Sequence, residues 1–329
     1  MMRNTPFVRS MLVVALIVLA LVLVPVLGSR QTIILTTEIA AVLAIAMMWN
    51  LLAGFGGIVF MGFQVFVGLG GYALFVAANA SGMIPFPFVL VSAGVCAVFA
   101  FAITPVLFRL SGAQLAIASW VIAEVVRLAV YHTPFLGAGG GISLLAMRGV
   151  PRDLRLMMTY GTAAAILVVA LLTCVFLLRG RFGLALRALR DNPGAAEAMG
   201  VGIRRTQTIV LTLSAAIAGA AGGAYYMIAL QISPGSGFSM NWMAIVLFVV
   251  ILGGIGTLEG PILGVAVYFL LRETLSDMGS LYFIILGSLA IAVTLLSPQG
   301  AWGALKRLIG RDLLPIRRDP GLPAARLTP

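Results

Sequence analysis

Few side chains in this sequence could do chemistry, and their spacing decides what kind. Glu124 and Arg127 stand three apart, so on a helix they share one face and are placed to form an ion pair. Glu38, Asn50, Gln64, Gln114, Arg272 and Glu273 also lie within apolar stretches. A charge at the centre of a bilayer costs roughly 2.5–3.5 kcal/mol on insertion scales, so such groups face a cavity or a partner. Gln64, Gln114 and Glu124 are therefore expected to line or border a central cavity. Arg272 and Glu273 are near enough to the end of a run to snorkel to the interface. No chain of Asp, Glu and His suited to proton relay is present, and catalysis has no constellation to work with. His132 is the one histidine, which rules out a His-Glu-x-x-His zinc site and a Ser/His/Asp set. Cys96 and Cys174 both sit in apolar runs and read as small packing residues, not a disulfide framework. The one lysine, Lys306, follows Leu305, so there is no Gly-x-x-x-x-Gly-Lys-Ser/Thr loop to reach terminal phosphates. If ATP drives this chain, another subunit binds it. The stretch from Gly253 to Gly260 lacks the preceding strand and the glycine spacing of a dinucleotide turn.

The elements that carry these residues follow from composition. Of 329 residues, 61% are hydrophobic and 9% are charged, against about 25% charged in a soluble domain. The apolar runs are continuous and not alternating, so they read as helices long enough for a hydrocarbon core of roughly 30 Å. The fold class is all-α: a polytopic integral membrane bundle of about ten transmembrane helices. The expected spans are 11–27, 32–52, 58–79, 86–108, 114–131, 160–178, 206–230, 243–255, 261–274 and 281–296. The first is longer than a signal-peptide core and reads as a retained helix. The eighth and ninth are short, as tilted, broken or re-entrant segments would be.

The net charge is +11, carried by arginines in short loops. That pattern belongs to membrane topology and not to nucleic-acid binding. With the N-terminus in the cytoplasm, Arg3, Arg9, Arg109, residues 179–205 and the tail after Lys306 all fall inside. Arg30, Arg148, Arg152 and Arg155 fall outside, and both termini are cytoplasmic. The chain reads as one transmembrane domain over 1–329, with an inner loop at 179–205 and a basic, poorly ordered tail at 303–329.

The inner loop contains a short helix signature. Asn192 can cap, Pro193 suits the first turn, Ala195, Ala196, Glu197, Ala198 and Met199 are good helix formers, and Gly200 suits a helix end. Such a helix is either a solvated surface element or a docking site for a partner. Glycine is abundant, at 38 residues. Gly219 and Gly223 form one GxxxG pair, and Gly256, Gly260 and Gly264 form two in succession. This spacing lets helix backbones approach closely, and also lets them slide.

The stretch from Arg187, RALRDNPGAAEAMGVGIRRTQTIVLTLSAAIAGAAGGAYYMIALQISPGSGFS, is followed by VVILGGIGTLEGPILGVAVYFLLRE and LLSPQGAWG. This succession resembles the permeases of branched-chain amino-acid ABC importers, specifically the M-type member of the paired H and M subunits. NLLAGFGGIVFMGFQVFVGLGGY from Asn50 and LSGAQLAIASWVIAEVVR from Leu110 are similar to that family's upstream segments. The resemblance implies an ABC importer permease fold in a bacterial inner membrane and a second homologous permease subunit. It also implies two ABC ATPase subunits that bind ATP and Mg, and an extracytoplasmic substrate-binding protein. Asn192 to Gly200 would then be the coupling helix that contacts an ATPase. No cofactor is expected in this chain itself. The family commonly has a Gln and then Ser-Leu-Gly-His where this chain has Ile58, Phe60-Met61-Gly62 and Phe63. Gln114 stands where an aromatic is usual.

The expected function is that of a transport subunit for branched-chain or related hydrophobic amino acids, with no chemistry done on the solute. Relatives of the family carry urea, short amides or other small polar solutes, so that substrate class stays open. A stand-alone ion-coupled transporter and an intramembrane enzyme are the readings from other classes. The second lacks a catalytic constellation.

Overall fold

Backbone N–H and C=O groups in lipid must be paired within the protein, which leaves these apolar runs no choice but helices. The computed structural model describes residues 5–275, 281–296 and 300–309. In chain order the helices are α1 (Thr5–Leu27), α2 (Arg30–Asn50), α3 (Gln64–Ser81), α4 (Val89–Leu107), α5 (Gly112–Tyr131), α6 (Arg152–Arg179), α7 (Arg181–Asp191) and α8 (Pro193–Ala198). They continue as α9 (Ile203–Ala229), α10 (Pro234–Gly237), α11 (Met240–Gly253), α12 (Gly260–Leu275), α13 (Leu281–Leu296) and α14 (Gly300–Ile309). Two short strands, β1 (Ile142–Ser143) and β2 (Gln231–Ile232), pair antiparallel with Ile142 opposite Ile232.

Among the described residues, eight segments are long and apolar enough to cross a membrane. Helices α12 and α13 have 16 residues each, a rise of about 24 Å. Among the described residues the bundle thus has eight helices of crossing length and two shorter ones, α12 and α13. α2 is its axis. Every residue from Ala40 to Gly56 is buried, as a helix hydrophobic on all sides requires. It packs against α6, α9, α11 and α12. By contrast α1 lies at the periphery, with Leu16, Val22 and Leu27 exposed.

Helices α3, α4 and α9 form the tightest junction. A Cβ on Gly219 would strike Cys96, one on Gly70 would strike the Gly219 backbone, and one on Gly222 would strike Val67. A Cβ on Gly223 would stand 3.1 Å from Leu74 and Ser92. Ser92 Oγ donates to the Gly70 carbonyl at 2.7 Å, and Cys96 Sγ donates to the Phe66 carbonyl at 3.3 Å. Gly264 plays the same part in α12, where a Cβ would overlap the Val249 carbonyl of α11.

Four expectations are corrected. The third span begins at Gln64 and not at 58, because residues 57–63 are not helical. The sixth begins at Arg152 and not at 160, since Arg152, Asp153 and Arg155 form a polar first turn on an otherwise apolar helix. Gly256 is not a helix-packing glycine. It sits in the turn between α11 and α12 with φ +76°, and only Gly260 and Gly264 belong to α12. Residues 303–309 complete α14, with Trp302 buried; the rest of the basic tail, 310–329, lies outside the described residues.

Polar contacts mark the two ends of the bundle. At one end Arg179 donates to Ser10 Oγ at 3.1 Å, joining the start of α1 to the end of α6. α7 and α8 lie at this end. At the other, Arg30 pairs with Asp153, joining the start of α2 to the start of α6. There Asn79, near the end of α3, donates to the Ser143 carbonyl at 2.8 Å and accepts from Leu145 N–H at 2.8 Å. Reporter fusions truncated after Gly149 and after Arg190 are therefore expected on opposite sides of the membrane, because α6 alone separates them. Reporters on the same side would contradict this arrangement.

Candidate functional site

The central helix does not run cleanly into α3. After Asn50 it widens into a π-helical turn, Leu51–Phe55, and then leaves helical geometry. Gly57 takes φ +68°, a conformation open to glycine at little cost. Residues 57–63 run back along the bundle before α3 begins at Gln64. Such a break frees backbone groups inside the protein, and side chains take them up. Trp49 Nε1 donates to the Phe60 carbonyl at 2.9 Å. Ser119 Oγ, from the middle of α5, accepts from Met61 N–H at 2.9 Å. Gly62 lies directly against the Ser119 carbonyl.

Asn50 joins this break to the α11–α12 turn. Its Oδ1 accepts from Gly256 N–H at 2.9 Å, and its Nδ2 donates to the Thr257 carbonyl at 2.7 Å. The residue is 1% exposed, so both halves of a buried carboxamide are used on one backbone turn. Gly54 permits the approach, since a Cβ there would overlap Asn50 Oδ1 and the Gly256 backbone. Thr257 Oγ1 in turn accepts from Gly260 N–H at 3.0 Å at the start of α12. Gly300, leading into α14, backs onto Gly253 and Gly254.

Helix α7 brings the loop helix to the same place. Leu186 and Leu189 bury one of its faces, and Arg187 donates to the Leu178 carbonyl at 2.9 Å. Arg190 extends its guanidinium to the Gly54 carbonyl at 2.8 Å and bonds its neighbour Asp191 at 3.0 Å. Two residues on, Asn192 Oδ1 accepts from Ala195 N–H at 3.0 Å and opens α8. Pro193 occupies the first turn, and Gly200 leaves the helix with φ +83°. Ala196 is buried, while Ala195, Glu197, Ala198, Met199 and Gly200 are exposed, Met199 by 71%. The helix stands out from the bundle on one alanine.

The opposite end carries its own cap. Between α5 and α6 a glycine-rich loop, Gly137-Ala138-Gly139-Gly140-Gly141, folds so that Gly141 lies against the Ile232 carbonyl. Ser233 and Ser236 form a reciprocal capping box at α10. Tyr226 OH donates to the Ser236 carbonyl at 2.7 Å, which also accepts from Trp242 Nε1 at 3.2 Å.

A comparison with known protein families matches residues 31–296 to the permease component of the branched-chain amino acid transport system. The chain belongs to this family. It is 27% identical over 319 residues to the high-affinity branched-chain amino acid transport system permease protein LivM of Escherichia coli K12, across 89% of this chain and 74% of that protein. It is 31% identical over 158 residues to a probable LivH permease of Methanocaldococcus jannaschii, across 43% of this chain and 49% of that one. The M-type likeness is therefore the more extensive. No solved structure matches the chain.

Within this permease, the three polar residues expected along a path do not converge on one cavity. Gln64 is 3% exposed, and its Oε1 has no partner. Gln114 is exposed in the first turn of α5. Glu124 pairs with Arg127, as their spacing suggests, on a half-exposed face. A groove of about 590 Å³ between α4, α6 and α9 is lined instead by apolar residues such as Leu90, Ile166 and Ile217. The departures at Ile58, Phe60 and Phe63 fall in the core; Phe60 and Phe63 each lie 5.4 Å from Phe66, ring to ring. Among the described residues no group of three or more His, Cys, Asp or Glu could hold a metal ion.

Sequence reasoning did not find Asn50, Gly54 or Arg190 as a connected set, nor the ion pair between Glu38 and Arg272 at 2.7 Å. Arg272 does more than snorkel: it ties α12 to α2 and lies 4.9 Å above the Phe269 ring. Asn50→Leu should leave the half-buried Gly256 N–H and Thr257 C=O without their Asn50 partners, at up to about 1–3 kcal/mol for each. A clearly lowered midpoint of thermal unfolding in nanodiscs is expected, with exposed Gln114→Leu close to wild type. An Asn50→Leu protein as stable as wild type would show that the junction contributes little.

Proposed function

We propose that the chain is one of two permease subunits of an ATP-driven importer. The importer carries branched-chain or related hydrophobic amino acids across a bacterial inner membrane. The observation that carries this reading is α8: a capped, exposed helix standing on the single buried residue Ala196, at the end of the bundle where α2 breaks. A helix exposed to this degree gains little stability from its own chain, which fits a surface kept for a partner. Two ABC ATPases would bind ATP and Mg and receive α8 in a groove. The end bearing α7 and α8 is then cytoplasmic, with both termini on that side. A second, homologous permease completes the pathway, and a binding protein delivers the solute at the opposite end, where the glycine-rich loop and α10 lie. The family likeness and the sequence's lack of a phosphate-binding loop support the division of labour.

Transport follows from alternating access. ATP binding draws the ATPases together and shifts α8, and the permease pair passes between states open to either side. The chain itself breaks and forms no bond in the solute. Gln64, at the start of α3 with a buried unpaired carbonyl oxygen, is the residue best placed to meet a polar group when the break opens. Gln114 and Glu124 would border the path from α5.

Proteoliposomes holding both permeases and both ATPases should take up leucine only with ATP and loaded binding protein. Uptake by this chain alone, driven by an ion gradient, would establish a stand-alone transporter instead. Within the full system, Gly200→Val forces a branched residue into left-handed backbone at about 1–3 kcal/mol, and Glu197→Arg reverses charge on the exposed face. Both should reach the membrane normally yet lose ATPase co-purification or uptake. Normal uptake and co-purification in both variants would remove α8 from the ATPase contact.

A further inference from the structure

Arg190 touches more separate pieces of backbone than a surface arginine needs. It leaves α7 two residues before the Asn192 cap of α8. Its guanidinium donates to the Gly54 carbonyl at 2.8 Å, at the frayed end of the π-helical turn. Gly57 lies so close that a Cβ would stand 3.0 Å from Arg190 Cγ. A Cβ on Gly256 would stand 3.3 Å from Arg190 NH1. One side chain thus meets the end of α2, the first residue of its exit segment and the α11–α12 turn. At each of the three points the backbone is glycine.

We propose that Arg190 is a positioning residue that transmits movement of α8 to the break in α2, so that nucleotide-driven displacement of the docking helix opens or closes residues 51–63. This rests on the reading of α8 as the ATPase contact. The carbonyl of Gly54 belongs to a turn that has already left α-helical pairing, where a cation both satisfies the oxygen and complements the negative helix end. A displacement of α7 and α8 that withdraws the guanidinium removes that partner. The π turn then loses the contact that holds its present geometry, and Gly54, Gly56 and Gly57 give the backbone freedom to rearrange. The side chain is 39% exposed, so water can replace either partner at modest cost. The contact can therefore be exchanged, as a two-state element requires. Asn50 extends the same movement to α12, because it bonds the turn that Arg190 also touches. Simple helix capping by arginine would account for the Gly54 bond alone. It does not call for the simultaneous approach of Gly57 and Gly256.

The test compares wild type with Arg190→Gln and Arg190→Lys in the assembled complex. The readouts are ATPase co-purification, ATP hydrolysis stimulated by loaded binding protein, leucine taken up per ATP hydrolysed, and the unfolding midpoint. Arg190→Gln should bind the ATPases in wild-type amounts and hydrolyse ATP. Its uptake per ATP should fall roughly tenfold, within the range that a single coupling contact carries. Arg190→Lys, which keeps a cation but not the fork, should recover part of the loss. A lowered unfolding midpoint with unchanged uptake per ATP would reduce Arg190 to a helix cap and overturn the proposal. ATPases that fail to bind even wild type would refute the docking reading first, and the proposal with it.

Discussion

A helix interrupted within the protein interior releases backbone groups that must find partners. The break between α2 and α3 ends a helix that is buried from Ala40 to Gly56, and much of the surrounding structure answers it. Trp49 and Ser119 take up the backbone of residues 57–63. Asn50 and Arg190 hold the end of α2 against the α11–α12 turn and α7. The long side chains come from three different elements, so the break cannot change shape without moving its neighbours.

Close backbone approach is the second requirement, and glycine supplies it. The α3, α4 and α9 junction closes on Gly70, Gly219 and Gly222. The junction at the break closes on Gly54, Gly57 and Gly256. These two sets differ in kind. The first lies within regular helices and fixes their separation, as small residues do where lipid offers no hydrophobic drive. The second lies where the chain turns, with Gly57 and Gly256 at positive φ, and leaves the backbone able to move.

Much of this was legible in the sequence wherever the signal was local. The cap at Asn192, the proline after it and the glycine at 200 lie within nine residues, so α8 could be read directly. Glu124 and Arg127 share a helix face by spacing alone. The hydropathy of the runs placed the crossings, and the starts of two were misjudged for physical reasons. Residues 57–63 are as apolar as a helix interior, so hydropathy alone cannot show that they are unwound. The charged first turn of α6 looks like loop until the helix is seen to begin at Arg152 and run for 28 residues. The junction itself was not legible. Asn50 bonds a residue 206 positions away, and Arg190 one 136 positions away. With neither charge pairing nor period to link them, the glycines read as packing and Asn50 as one more polar group within an apolar run. Gln64 was singled out for polarity, and its buried Oε1 does lack a partner. Gln114 and Glu124 lie on a separate helix, and only a partner surface against α5 would draw them into the same path.

The central claim is that the exposed helix at one end and the helix break inside the bundle form one mechanical unit. Hydrogen–deuterium exchange of the assembled importer in nanodiscs, compared without nucleotide and with ATP held unhydrolysed, tests this most directly. The account predicts that amides 51–57 and 254–257 change protection together with those of 193–200. A change confined to 193–200, with 51–57 and 254–257 identical in both states, would contradict it.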